Sequence, residues 1–216
     1  MIELIVKVVA SYLLGSVVGS LVVGRLRGGV DIRMLGSGNA GGTNALRTQG
    51  KAFALWVVLI DVAKGWLAAY GIAGLALPFV PAASATVREW LPVACGAAAI
   101  IGHVYPVWHG FRGGKGAATL MGALVGVNAW LLVPVLATWL GALILIGYVS
   151  LASILAALAL PIAVALGDVT PRVPLLAFGV FVAAVVMFTH RVNLARMRQG
   201  SEPRARSLWL LGVRRR

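Results

Sequence analysis

The sequence predicts an all-α integral membrane protein of about seven spans, some short or broken, with its N-terminus outside and its C-terminus in the cytoplasm. Three observations lead there. Apolar residues make up 60% of the chain and mean hydropathy is +0.94. They run in tracts of bilayer length, such as residues 4–23 and 52–69, and about 20 residues rising 1.5 Å each cross a hydrocarbon core of about 30 Å. The formal net charge of +13 is gathered in patches at residues 25–51, at Arg112 and Lys115, and at 191–216. These patches abut apolar tracts and lack interleaved aromatic residues, which suits cytoplasmic span ends on anionic lipid and argues against nucleic acid.

The elements follow from the parity of the patches. The first tract lacks a basic leader and a small-x-small cleavage site, so it reads as a retained span rather than a signal peptide. Between the first and second patches the chain crosses twice, over about 52–77 and about 90–107, with Pro78, Pro81 and Ser84 in an outside loop. The last span is about 174–189, after an outside turn at 167–172. Residues 117–166 must then cross an odd number of times, and three crossings strand the fewest apolar residues. Fifty residues of helix reach only about 75 Å, so these spans are short or broken. Asn128, Pro134 and residues 147–150 are the available breaks. The whole chain, 1–216, reads as a single polytopic domain.

Against this apolar background every polar residue needs a reason, and four groups are placed on the cytoplasmic side. The first is the run 31–47, where six positions are Gly or Ala. Ser37, Asn39, Thr43 and Asn44 add donors, and Arg33 and Arg47 add charge. Such a loop can bring amides close to an oxyanion; it would also serve as a plain cytoplasmic loop of turn formers and positive-inside arginines. If a helix begins near Asn39, Thr43 and Arg47 share a face at i, i+4.

The second group is 102–119, where Gly113, Gly114 and Gly116 flank Lys115 beside bare amides. It is not a Walker A loop, since Gly116 follows the lysine. Lys115 suits a phosphate, or a snorkelling anchor at a helix start. His103 either acts in this group or packs a helix end. The third group is Asp61 and Lys64, three residues apart within a span, where a lone charge costs about 2.5–3.5 kcal/mol. They neutralise each other or tether a neighbouring basic loop. The fourth is His190, Arg191 and Asn193 at the end of the last span, with Ser150 and Ser153 on a broken one. His190 titrates in the useful range for acid–base work.

Five ordered motifs beginning at Asp31, Asp61, Gly102, Tyr148 and His190 resemble those of the bacterial membrane-integral acyl-phosphate:glycerol-3-phosphate acyltransferase family (the PlsY type): DIRxxGSGNxGxTNxxR, DxxKG, GHxxPxxxxFxGGKGxAT, YVSLxS and HRxNxxRxxxGxE. The resemblance covers essentially the whole chain. It implies transfer of a fatty acyl group from acyl phosphate to the 1-hydroxyl of glycerol 3-phosphate in the cell inner membrane. The products would be lysophosphatidic acid and inorganic phosphate, the first acylation of phospholipid synthesis. Ser37, Gly38 and Asn39 fall where the family cradles the acyl-phosphate phosphate, with Lys115 nearby. Thr43, Arg47, a serine of Ser150/Ser153, His190 and Asn193 fall where it holds glycerol 3-phosphate. The polar groups and the resemblance taken together make Ser37, Asn39, Arg47, Lys115 and His190 the expected catalytic set. Asn44, Gly113 and Gly114 join the binding set, and Asp61, Lys64 and His103 support it. The chain departs from the family pattern at Val17-Val18, at Gly42 and in a longer basic tail.

An acyl phosphate already carries a good leaving group, so positioning, worth about 7–11 kcal/mol, would do most of the catalysis. The chain has no GxSxG elbow and no cysteine in polar company, which argues against an acyl-enzyme. None of its three histidines is followed four residues later by Asp. The general base is then His190 or the substrate's own phosphate. No cofactor or metal is expected, and EDTA should leave activity intact. A transporter of phosphorylated solutes is the other reading, although the chain shows no repeated halves.

Overall fold

The computed structural model describes residues 1–205 and residue 209, and among these every regular element is helical. The arginines at 214–216, taken from sequence as part of a cytoplasmic patch, lie outside the described residues. The chain, read from sequence as one domain, forms two compact units, Met1–Ala129 and Trp130–Arg216. The division falls within an apolar stretch, without the polar linker by which a sequence marks a boundary.

In the first unit, α1 (Ile2–Gly15) and α2 (Gly19–Leu26) replace the single first span expected and are bent by 45°. Charged side chains from the next span satisfy the broken backbone. The Gly19 N–H donates to Asp61 Oδ1 at 3.0 Å, and Lys64 Nζ donates to the Val17 carbonyl at 2.7 Å. Lipid offers no such partners, so a break inside a membrane domain has to find them in protein.

A short helix, α3 (Gly42–Gln49), leads through Gly50 into α4 (Lys51–Trp66), which continues as a π-helical turn over Leu67–Ile72. Leu55, Trp56 and Leu59 on α4 are exposed, as a lipid-facing stripe requires. The Ser84 hydroxyl caps α5 (Ala85–Val104) by accepting from the Val87 N–H, and α6 (Ala117–Asn128) completes the unit. Close glycine approaches join α1 to α5 and α4 to α6. A Cβ on Gly15 or Gly102 would strike the facing backbone, as would one on Gly65 or Gly122. A buried ion pair, Glu3–Lys7 at 2.6 Å, ties down the connection between α4 and α5: Lys7 donates to the Ala73 carbonyl, and Glu3 accepts from the Ala83 N–H.

The second unit holds α7 (Leu132–Ile146), α8 (Val149–Leu166), α9 (Arg172–Thr189) and α10 (Arg191–Arg198). α8 packs between α7 and α9, with Pro161 against Gly179, and α10 touches both α8 and α9. The break expected around 147–150 is present, with Gly147 at φ 83° closing α7. The break expected near 128 is a single 3-10 turn, Ala129–Leu131. Pro134 breaks nothing; it sits in the first turn of α7, where a missing N–H is tolerated.

α6 and α7, read from sequence as separate crossings, are 12 and 15 residues long, or about 18 and 22 Å at 1.5 Å per residue. They join through the 3-10 turn into one apolar stretch, Ala117–Ile146. By length and composition, five described helices suffice to cross a membrane, or six with the bent α1–α2 pair as one span. Counting α6 and α7 separately is what gave seven.

Candidate active site

The first glycine-rich loop is built around Asn44. This residue is buried; its Oδ1 accepts from the Ser37 N–H at 2.9 Å, and its Nδ2 donates to the carbonyls of Ile32 and Leu35, each at 3.0 Å. Expected among the substrate-binding groups, Asn44 instead spends its amide folding the loop. Ile32 anchors the loop from below, packed with Val23, Ala45, Phe53 and Val57. Gly38 is held at φ 73°, and its N–H closes a turn onto the Leu35 carbonyl at 3.0 Å.

The amides of Ser37 and Gly38 are therefore engaged within the loop. Ser37 and Gly38 are exposed, Asn39 is half-buried, and the loop runs straight into α3, whose N-terminus has no side-chain cap. An uncapped helix start presents amides and positive dipole to an anion. The helix begins at Gly42 rather than at Asn39, and it carries Thr43 and Arg47 exposed one turn apart, as the spacing predicted.

Arg33 does not contribute a free charge to this loop. Its guanidinium grips both oxygens of Asp31, with Nη2 to Oδ2 at 2.7 Å, while Nη1 donates to the carbonyls of His109 and Arg112 at 3.1 and 2.9 Å. The first loop is thereby latched to the second. The neighbouring guanidinium holds the Asp31 carboxyl below its ordinary pKa, and the carboxylate in turn raises that of Arg33. A cleft of about 460 Å³ beside the latch is lined by Asp31, Arg33, Trp108, His109 and Arg112.

The second loop is shaped by the end of α5. A helix leaves its last carbonyls without partners, and here Gly114 and Gly113 supply them, their N–H groups donating to His103 and Val104 at 3.1 and 3.2 Å. The amides that the sequence left bare are thus engaged. Glycine is needed for close approach: a Cβ on Gly113 would strike the His103 carbonyl, and one on Gly114 the His103 ring. Lys115 follows, half-buried, and Gly116 at φ 85° opens α6, whose N-terminus also has no side-chain cap.

Beneath this loop lie Asp61, Lys64 and His103, all buried. Lys64 Nζ is 2.8 Å from Asp61 Oδ1 and 2.8 Å from His103 Nδ1. Asp61 Oδ1 is also 3.3 Å from His103 Nδ1. Mutual neutralisation, one of the two readings left open, is present; so is the bonding to the broken α1–α2 backbone.

In the second unit, Ser150 and Asn193 converge on Glu202. Ser150 Oγ and Asn193 Nδ2 donate to its Oε1 at 2.8 and 2.6 Å, and Arg196 Nε donates to its Oε2 at 3.1 Å. Of the two serines kept open, Ser150 belongs to this cluster. The Ser153 hydroxyl instead donates to the Val149 carbonyl and accepts from Trp139 Nε1. His190 is buried, with Nδ1 2.8 Å from the Val186 carbonyl. A carbonyl only accepts, so Nδ1 carries a proton and donates it.

The sequence profile described as glycerol-3-phosphate acyltransferase matches residues 5–200. The chain belongs to the glycerol-3-phosphate acyltransferase family. A glycerol-3-phosphate acyltransferase of Aromatoleum aromaticum is 44% identical over 195 residues, covering 89% of this chain and 92% of its own. One from Chlorobaculum tepidum is 38% identical over 225 residues, covering 94% and 97%. The glycerol 3-phosphate form of PlsY, an integral membrane glycerol 3-phosphate acyltransferase, superposes with a TM-score of 0.80 at 34% identity, over 93% of this chain and 94% of that one. Its lysophosphatidic acid form gives the same score at 33% identity. The fold is accordingly that of a helical integral membrane protein.

Within this acyltransferase-family fold, the first unit contains Ser37, Asn39, Thr43, Arg47, Asp61, Lys64, His103 and Lys115, and the second contains Ser150, Ser153, His190 and Asn193. Sequence reasoning assigned no role to Glu202 or Arg196. The signal was there, since both are fixed letters of the fifth motif, and a carboxylate in a strongly basic tail needs a partner. It likewise passed over Glu3 and Lys7, whose i, i+4 spacing inside an apolar tract marks a buried pair.

Proposed function

We propose that this protein transfers a fatty acyl group from acyl phosphate directly to the 1-hydroxyl of glycerol 3-phosphate, at the cytoplasmic face of the bacterial inner membrane. The observation that carries this reading is in the first unit. Two glycine-rich loops each open into a helix without a side-chain cap, and each brings a cation, Arg47 on α3 and Lys115 before α6. That is equipment for phosphate groups. Family membership and the likeness to PlsY in its glycerol 3-phosphate form support the acceptor.

In this reading Ser37, Asn39 and Lys115 hold the donor's phosphate and stabilise it as it leaves. Thr43 and Arg47 bind the acceptor's phosphate. In the second unit, Ser150, His190 and Asn193 offer groups of the kind that bind glycerol hydroxyls. The attacking hydroxyl passes its proton to the acceptor's own phosphate; the new C–O bond forms as the bond from the carbonyl carbon to the phosphate oxygen breaks, releasing inorganic phosphate. The one cysteine, Cys95, is buried in α5, which favours direct transfer over a thioester intermediate.

Donor identity is the test. Purified protein in lipid is given labelled glycerol 3-phosphate with either palmitoyl phosphate or palmitoyl-CoA. Lysophosphatidic acid is expected from palmitoyl phosphate alone; formation from palmitoyl-CoA at a comparable rate would overturn the proposed donor.

A further inference from the structure

The buried charges under the second loop do more than mend the α1–α2 break. Lys64 carries three N–H groups, and the structure accounts for each: Val17 carbonyl at 2.7 Å, Asp61 Oδ1 at 2.8 Å, His103 Nδ1 at 2.8 Å. An ammonium cannot accept a hydrogen bond, so a contact of 2.8 Å requires Nδ1 to be the acceptor. The proton of the neutral ring then sits on Nε2. That edge of the ring is the one Gly114 lies against, so closely that any Cβ there would strike Nε2. The same residue's carbonyl receives the Gly114 N–H at 3.1 Å. His103 therefore meets the loop twice immediately before Lys115, through its carbonyl by a hydrogen bond and through its ring by close packing against Gly114.

We propose that His103 is a positioning residue for Lys115. The Asp61–Lys64 pair fixes the tautomer of His103, and the Nε2–H edge of its ring seats the Gly113–Gly114 turn that aims the Lys115 ammonium. Asp61 accepts from the Gly19 N–H and from the Lys64 ammonium, so it orients the His103 ring through Lys64. One ion pair inside the membrane domain thus mends a broken helix on one side and registers the loop on the other. The inference rests on the reading of Lys115 as a phosphate-binding residue.

Two substitutions separate the ring's edges. In His103→Gln the side-chain amide N–H reaches the place of Nε2–H; in His103→Asn the amide reaches only the place of Nδ1. Palmitoyl phosphate and glycerol 3-phosphate are both held saturating, and folding is followed by thermal unfolding in detergent. His103→Asn is expected to lower kcat by about 10²-fold, the scale of a misplacement near 1 Å. His103→Gln should recover most of that loss. In a Lys115→Ala background His103→Asn should cost little more, because the two act through one group. Equal losses in the two variants, or a full additional loss in the Lys115→Ala background, would overturn the proposal.

Tautomer can also be read without any variant at position 103, from the 15N imidazole signals of wild-type protein. A neutral ring protonated on Nε2 is expected for the buried His103, and a ring protonated on Nδ1 would overturn the proposal. A wild-type protein that forms no product from palmitoyl phosphate would sink the functional reading instead, leaving the tautomer measurement to decide the structural one.

Discussion

Asn193 Nδ2 donates to Glu202 Oε1 at 2.6 Å, and this bond brings a carboxylate beyond α10 against a candidate binding residue at the start of α10. The same oxygen takes the Ser150 hydroxyl from the start of α8, so Glu202 sets the orientation of two candidate ligand groups at once. Glu202→Gln would place an amide among donors that all need an acceptor. Hydrogen bonds to a charged group contribute about 1.5–3 kcal/mol, so kcat/KM should fall about 10- to 100-fold. Steady-state kinetics on the folded variant check this, and Glu202→Asp should not restore the rate, being one methylene too short.

Arg33 fixes the first loop to the second, and only a planar fork can grip a carboxylate and two carbonyls together. Both Arg33→Ala and Arg33→Lys should lower thermal stability and kcat/KM, with lysine failing to rescue. Native-like values in Arg33→Lys would show that charge alone suffices.

The latch also has a pH signature. The folded pKa of Asp31 is depressed from 3.8 by Arg33, so its stabilising contribution is complete above that value and is lost as pH falls through the lower folded value. Neutral and mildly alkaline stability should not depend on it. Unfolding midpoints measured between about pH 3 and pH 8 should drop at the acidic end in wild type, with a smaller drop in Asp31→Asn.

Lys115 and Arg47 are the cations assigned to the two phosphates. Removing a group that stabilises developing charge costs about 10²–10³ in kcat, and Lys115→Ala should show that loss. Arg47→Ala should instead raise KM for glycerol 3-phosphate most strongly. The split between kcat and KM is the measurement, and a reversed pattern would exchange the two assignments.

His190 donates through Nδ1 to the Val186 carbonyl, which fixes the plane of its ring. If the acceptor's phosphate takes the proton, His190→Ala keeps near-normal turnover once glycerol 3-phosphate saturates, with a raised KM. A kcat loss of about 10²-fold or more at saturation would make His190 the base.

Fold class was legible because apolar tracts and basic patches report membrane crossing directly. The bend at residues 16–18 was not, since no proline marks it and its cause lies in Asp61 and Lys64, more than forty positions on. The candidate residues Ser37, Arg47, Lys115, His190 and Asn193 stand out in the sequence as polar residues in an apolar chain. Their division of labour was hidden. Asn44 looks like a ligand group until its amide is seen folding the loop, and Gly113 and Gly114 look like bare amides until the carbonyls ending α5 claim them. Such roles depend on which backbone groups a neighbouring helix leaves unsatisfied, and residue spacing does not carry that information.

The most direct test of the central claim is phosphate release by the purified, lipid-reconstituted protein from palmitoyl phosphate, with and without glycerol 3-phosphate. Direct transfer predicts release that depends on the acceptor and matches the lysophosphatidic acid formed mole for mole. Release at the same rate without acceptor, or none from folded protein with both substrates present, would contradict it.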